Sequence, residues 1–420
     1  MTGRPLTLTV WTLSFVPLSM PFGDAVLPGG LVSAAQLASL CVIGAVVVRQ
    51  SGRDAEALRV PPTAWWMLGL LCTYVLATPG AASTELAVRQ DVSLLIGLLL
   101  AVSLSAACRT EQEFGLAVWL FVVGGGVALV RGLLTSSAVE ARYGGAEVAG
   151  SNGLFSEHNQ AGCYAAALML VCLAMVYAAR TTWQRLLAGS VAVLALVQVA
   201  LSLSRGAWLG SLLGVMVLLV LQTRILTRVL APAIALSALF LLAAPANGPI
   251  LVIRERLSTL GTQSVGPRDD RPGIWREALR QAEASPLLGQ GPGSFPVVAS
   301  ESGSEVYTVS AQHAHNVLLT VAAEAGLPAA LCVVGLTLAV GSAVRQSCRR
   351  LSSAQARIVA GVGAALFTFV GQGVVDVTLR NSTISTMLWY LVGLVLAARV
   401  VAVEPRDGAV PEKARVRVPP

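Results

Sequence analysis

The chain carries three histidines, His158, His313 and His315. Two of them fall in the run Gln312-His313-Ala314-His315-Asn316, between a long polar stretch and a long apolar one. Imidazole is the side chain whose ordinary pKa lies near neutrality, so it can take a proton from a hydroxyl. A titratable group at the mouth of a membrane helix is costly to keep there, so chemistry or binding is the leading reading for His315. The plain alternative is an interface histidine bonded to a carbonyl. Asn316 follows directly, and Glu324 lies about two and a half helical turns further on. A carboxylate at that depth must face protein or water, or pair with an arginine. His158-Asn159, after Phe155, repeats the histidine–asparagine pair at the start of another apolar segment. It reads either as a second part of the same site or as a capping asparagine. Asp376 and Arg380 close a later apolar segment and could pair with each other.

Two arginines are placed to meet an anion. Arg205 stands in Ser204-Arg205-Gly206-Ala207-Trp208, inside an apolar stretch over 186–222. One helix of that length would be on the order of 55 Å, beyond any bilayer core, so the stretch must be two spans joined by a tight turn at Ser204-Arg205-Gly206. Arg205 then sits at a membrane edge, either snorkelling to lipid headgroups or fixed as a cation for an anionic headgroup. Arg271, in Asp269-Asp270-Arg271-Pro272-Gly273-Ile274-Trp275, stands where a short helix should begin. Free N–H groups and the helix dipole favour an anion there, and guanidinium grips phosphate oxygens in a bidentate manner. A surface ion pair with Asp269 or Asp270 is the competing reading.

The elements that must hold these residues are membrane helices. Apolar residues make up 55% of the 420 residues and charged residues 12%, with a mean hydropathy of +0.73. Soluble domains carry roughly a quarter charged residues. The predicted fold is all-α and polytopic, with about twelve spans. They fall near 6–21, 29–48, 62–79, 91–108, 114–133, 159–179, 184–203, 206–222, 226–244, 315–342, 356–376 and 383–403. The first is expected to be an uncleaved span, because Pro17 and Pro21 stand where a signal-peptide cleavage site would be.

Basic residues follow every second span: Arg49, Arg53 and Arg59; Arg109; Arg180 and Arg185; Arg224 and Arg228; Arg345, Arg349, Arg350 and Arg357. Excess Lys and Arg mark cytoplasmic loops, so both termini are expected inside. The net charge of +7 is then mostly topology and gives no sign of nucleic-acid binding. Four segments follow: spans one to nine over 1–244, an exterior loop over 245–314, spans ten to twelve over 315–403, and a cytoplasmic tail over 404–420. A loop that long is usually functional or disordered. This one carries helix signals, with Pro272 in a first turn, a stripe of Trp275, Ala278, Leu279 and Ala282, and a stop at Ser285-Pro286. Gly289, Gly291 and Gly293 follow no strand, so they read as a loop turning back to the membrane, not as a dinucleotide fingerprint. The seven cysteines show no zinc spacing, and there is no phosphate-binding loop, so neither metal nor nucleotide cofactor is expected.

These motifs together resemble the O-antigen ligase and polymerase superfamily. Arg205 with Leu209 is similar to its arginine-x3-leucine motif, and Arg271-x3-Trp275 with Pro286-Leu287-Leu288-Gly289-Gln290-Gly291 to its exterior-loop signature. His315-Asn316, nine residues and Gly326 resemble the ligase motif, with Ala329 departing from its usual last residue. The resemblance implies a GT-C-like glycosyltransferase of the bacterial inner membrane, metal-independent and inverting. Its donor would be a glycan on undecaprenyl pyrophosphate and its acceptor lipid A–core, joined on the periplasmic face. It also implies roles: His315 as base, Arg205 and Arg271 on the pyrophosphate, and Asn316, Asn159, His158, Glu324 and Trp275 around the substrates. An O-antigen polymerase, a protein O-oligosaccharyltransferase and a transporter of lipid-linked glycans are the alternatives.

Overall fold

The computed structural model describes residues 6–23, 25, 32–51, 62–135, 138–143, 146–222, 271–301 and 313–403. They are nearly all helical. In chain order the helices are α1 (Leu6–Ser19), α2 (Ala34–Gln50), α3 (Thr63–Ala77), α4 (Thr84–Ala107), α5 (Glu111–Thr135), α6 (His158–Ala178), α7 (Thr182–Leu201), α8 (Arg205–Leu221), α9 (Arg271–Ala284), α10 (Phe295–Glu301), α11 (Val317–Arg350), α12 (Ser353–Gly373) and α13 (Ser382–Val403). Between α5 and α6 a short antiparallel hairpin pairs β1 (Ala138–Tyr143) with β2 (Ala146–Ser151).

Eleven of the twelve expected spans coincide with a helix. The ninth, near 226–244, lies outside the described residues, as do Asp269 and Asp270 and the tail from 404. Among the described residues, seven helices are long and apolar enough to cross a membrane: α4 to α7 and α11 to α13. Large apolar side chains stand bare on the outer faces of these and other helices, among them Trp65, Trp183, Leu134, Val220 and Leu331. Such surfaces need lipid rather than water around them.

In lipid the apolar effect does not hold helices together; close packing at small residues does. α8 shows this against α12. Gly206, Gly210 and Gly214 recur every fourth residue on one buried face of α8. A Cβ at Gly210 would come within 2.5 Å of the Thr368 carbonyl oxygen, and one at Gly371 within 2.9 Å of Gly210 Cα. The two backbones therefore touch, and α8 has a fixed register on α12. The central α13 packs its Tyr390 ring on Phe121 of α5, centroids 5.7 Å apart, with the hydroxyl donating to the Ala117 carbonyl.

Two local departures matter for the site. The break between α7 and α8 falls at Ser202–Ser204, two residues earlier than the sequence suggests. Leu203 there has a left-handed φ of 52°, and Ser204 caps α8 by accepting from Ala207 N–H. Arg205 is thus the first helical residue rather than part of the turn. Second, α11 is not one straight span. At Gly326 (φ 83°, ψ 171°) the helix breaks, two residues before Pro328. The loop 286–291 fills the break. Gln290 and Gly291 N–H donate to the Ala323 and Glu324 carbonyls, and Leu327 N–H donates to the Pro286 carbonyl. Freed backbone groups inside a span are tolerated where protein satisfies them in this way. Only glycine suits position 326, since a Cβ there would overlap the Leu287 carbonyl as well as the positive φ.

The helix expected within 245–314 exists as α9, but its stripe is rotated from the expected one. Ile274, Ala278 and Ala282 are buried, whereas Leu279 is exposed. Ile274 and Ala278 pack with Phe295, Ala314 and Ala323, which seats α9 on the first half of α11 and on the histidine segment.

Candidate functional site

The site forms where several helix starts meet the end of α12. Gln372 to Asp376 is the hub. Gly206, next to Arg205, packs on Gln372 and Val375. Gln372 Nε2 donates to the Asn159 carbonyl at the start of α6, 2.9 Å away. Asn316 Nδ2 donates to the Val374 carbonyl at 3.0 Å, while its Oδ1 accepts from Leu319 N–H and caps α11. His315 Nδ1 lies 3.0 Å from Asp376 Oδ1. The starts of α6, α8 and α11 therefore converge on one carboxylate-bearing turn. Each start carries the partial positive charge of its free N–H groups.

His315 adopts a left-handed φ of 48°, which a residue with a Cβ holds only at a cost of about 1–3 kcal/mol. The Asn316 cap and the Asp376 bond keep it there. Its ring is half-buried, with 27% of the side chain exposed, so it is reachable from the site mouth. Asp376 is buried. Burial alone would push its carboxyl up. His313, His315 and the Val377 N–H outweigh that and hold it far below the usual carboxylate range. As a carboxylate it accepts from His315 Nδ1–H, the tautomer that leaves the lone pair on Nε2.

The structure corrects the expected pairing of Asp376 with Arg380. Asp376 faces the histidines, and Arg380 forms its ion pair with Glu324, whose side chain is buried. Glu324 thus has an arginine partner of its own, which reading along one helix does not reveal. The capping role for Asn159 is not seen either. Glu157 occupies the cap position of α6, without a side-chain bond, and His158 is the half-buried first residue of that helix.

Arg205 is exposed at the start of α8, and Arg271 half-buried at the start of α9. Each lies one to three residues from a buried contact of the hub or of the histidine segment: Gly206 on Gln372 for the first, Ile274 with Ala314 for the second. Trp275 follows with its indole Nε1 buried and without a hydrogen-bond partner. Such a donor is normally satisfied by something.

Asp376 is the residue that sequence reasoning undervalued. Its signal is a lone acid at the end of an apolar span. With it, His313, His315 and Asp376 each offer one ligand atom, all within 4.8 Å of one another. Beside the hub a cavity of about 860 Å³ runs between α3, α4, α11, α12 and α13. Its walls are mostly apolar, including Leu338, Phe369 and Val370, and Asn316, Glu324 and Arg380 line it as well.

Residues 190–334 match the family model described as O-antigen ligase. That stretch includes Arg205, Arg271 and the segment from His315 to Gly326, and ends before Asp376. No curated protein matches. A chain from the solved structure described as "Structural coordination of polymerization and crosslinking by a peptidoglycan synthase complex" is similar over 81% of this chain and 96% of that one. Its TM-score is 0.48 and its sequence identity 19%, too low to inform the site.

Proposed function

We propose that this member of the O-antigen ligase and polymerase superfamily is a glycosyltransferase that moves a glycan from undecaprenyl pyrophosphate to lipid A–core at the periplasmic face of the bacterial inner membrane. The observation that carries the reading is the His315–Asp376 pair, set among converging helix starts with Arg205 at one of them, and Arg271 at the start of α9, which packs on the histidine segment.

A sugar hydroxyl is a weak nucleophile. His315 Nε2, free because Nδ1–H is held by Asp376, takes its proton as the oxygen attacks the anomeric carbon. The bond from that carbon to the pyrophosphate breaks, and the electron pair leaves on the pyrophosphate. Attack from the face opposite the leaving group inverts the anomeric centre. Arg205 and Arg271 meet the charge developing on the phosphates, a task for which the planar guanidinium fork is suited. That electrostatic help is the part a metal would otherwise supply, so the mechanism is metal-independent. Both substrates are lipids, and the apolar cavity beside Asn316 suits the donor's polyprenyl chain.

The reading includes a twelve-span topology with both termini inside and the 245–314 loop outside, in the four segments into which the sequence divides. The basic residues at the far end of the bundle, such as Arg109, Arg180 and Arg357, stand away from the hub. The test is transfer by the purified protein from lipid-linked glycan to lipid A–core, without ATP. Transfer only to a second lipid-linked glycan would make the protein a polymerase, and transfer only to Ser or Thr of a protein an O-oligosaccharyltransferase. No transfer to any of the three would overturn the reading.

A further inference from the structure

One member of the His313, His315 and Asp376 cluster bears on the base only through Asp376. His313 is 8% exposed; its Nε2 faces Asp376 Oδ1 at 3.5 Å without making a well-formed hydrogen bond, and its Nδ1 has no partner. Asp376 Oδ2 is likewise buried and unpartnered. Buried polar atoms in native proteins are almost always satisfied, so this constellation calls for a ligand. We infer that His313, His315 and Asp376 form a binding site for a divalent cation of the zinc class, and that filling it switches the transfer site off. The second half rests on the reading of His315 as base.

The ligand types are those zinc takes, two imidazoles and a carboxylate. The spacing fits as well. At Zn–N and Zn–O lengths of roughly 2.0–2.2 Å, neighbouring tetrahedral ligands lie about 3.3 Å apart. His315 Nδ1 and His313 Nε2 lie 3.0 and 3.5 Å from Asp376 Oδ1. The imidazole centroids are 4.5 Å apart, so a small ring rotation closes the third edge. The frame is rigid. Ala314, between the histidines, is fully buried and its N–H donates to Thr320 Oγ1 at 3.3 Å. Asp376 Oδ1 is steadied by the Val377 N–H at 2.8 Å. Three protein ligands leave a fourth position for water.

Inhibition follows from the tautomer. Transfer needs the His315 proton on Nδ1 and the lone pair on Nε2. A cation on Nδ1 takes the lone pair of that nitrogen, so the one proton of the neutral ring moves to Nε2. The proton count is unchanged, but Nε2 is now a donor and cannot accept from the acceptor hydroxyl.

The experiment uses the full-length protein in detergent, stripped with EDTA and titrated with ZnCl2 or CoCl2. One equivalent of Zn2+ should bind by calorimetry, and Co2+ should give tetrahedral visible bands that Zn2+ displaces. Transfer should fall in step with occupancy and return with EDTA. His313→Phe keeps a ring against His315 but removes both nitrogens. It should weaken zinc binding and zinc inhibition together by at least about tenfold, since even outer partners of a metal ligand are worth roughly 10–100-fold. Because His313 also helps hold Asp376 ionised, zinc inhibition is read as the ratio of transfer with and without zinc in the same variant. Absence of stoichiometric binding to wild type would overturn the site, as would unchanged binding in His313→Phe. Activity lost to EDTA and restored by zinc would overturn the inhibitory role. Zinc binding that depends on His313 in a protein that transfers no glycan would support the site and sink the transferase reading instead.

Discussion

At the scale of single residues, the site separates groups that touch the reaction from one that positions them. His315→Ala should remove most transfer while leaving affinity for the lipid-linked donor largely intact, as measured by single-turnover transfer beside donor binding. Full activity in that variant would remove His315 as base, and lost donor binding would make it a donor ligand instead. Arg205→Ala and Arg271→Ala should each slow transfer by roughly 10²–10³, the usual loss for one preorganised charge contact. Lysine should rescue poorly, because it lacks the fork. Asp376→Asn tests the positioning role. The amide can stabilise the wrong tautomer of His315, so kcat should drop by about 10² or more with donor KM little changed. An equal loss in KM would assign Asp376 to substrate binding. His315, Arg205 and Arg271 were legible in the sequence because a titratable or fixed charge at a membrane edge is rare and costly. Their partners were not. Asp376 is 61 residues from His315, and Arg380 is 56 residues from Glu324. Nothing along one helix says which of two nearby charges faces which neighbour.

At the scale of elements, eleven helices fall where apolar length put them, because a bilayer leaves few other ways to satisfy a backbone. What hydropathy could not show is where an apolar run bends. Gly326 and Pro328 sit inside a run that reads as one span, and the break is made by a tertiary partner, the loop from Pro286 to Gly291. The stripe of α9 was misjudged for the same reason. Leu279 is the more apolar of the two neighbours, yet the seat on Ala314 and Ala323 buries Ala278. Gly326→Ala should cost about 1–3 kcal/mol from the positive φ alone, more with the overlap on Leu287, and should lower both the unfolding temperature in detergent and transfer. Wild-type stability in that variant would show that the break relaxes freely. Gly210→Leu would drive α8 off α12. The expected result is loss of transfer in protein that still folds, because Arg205 leaves the hub. Unimpaired transfer would mean the arginine does not depend on that contact.

At the scale of the whole molecule, charge and chemistry sit at opposite ends. Gln355 Nε2 donates to the Glu111 carbonyl, and Arg357 to the Tyr177 carbonyl. Those bonds tie the α4–α5, α6–α7 and α11–α12 junctions into one end. Arg109, Arg180, Arg185, Arg349 and Arg350 lie at those junctions. At the other end Ser294 Oγ accepts from Ala82 N–H at 2.9 Å, and Thr383 Oγ1 donates to the Gly23 carbonyl at 2.6 Å. That end holds the hub. Arginine excess marks the cytoplasmic side, so the hub should face the periplasm, where a lipid-linked glycan and its acceptor meet. Two exposed positions test this, Thr182 at the basic end and Ser300 at the hub end. In a variant whose seven native cysteines are replaced, Ser300→Cys should react with an impermeant maleimide added to spheroplasts. Thr182→Cys should react only after lysis. The reverse pattern would invert the molecule in the membrane and place the hub in the cytoplasm. Chemistry on an exported lipid-linked glycan would then be impossible however well the histidine and the arginines are arranged.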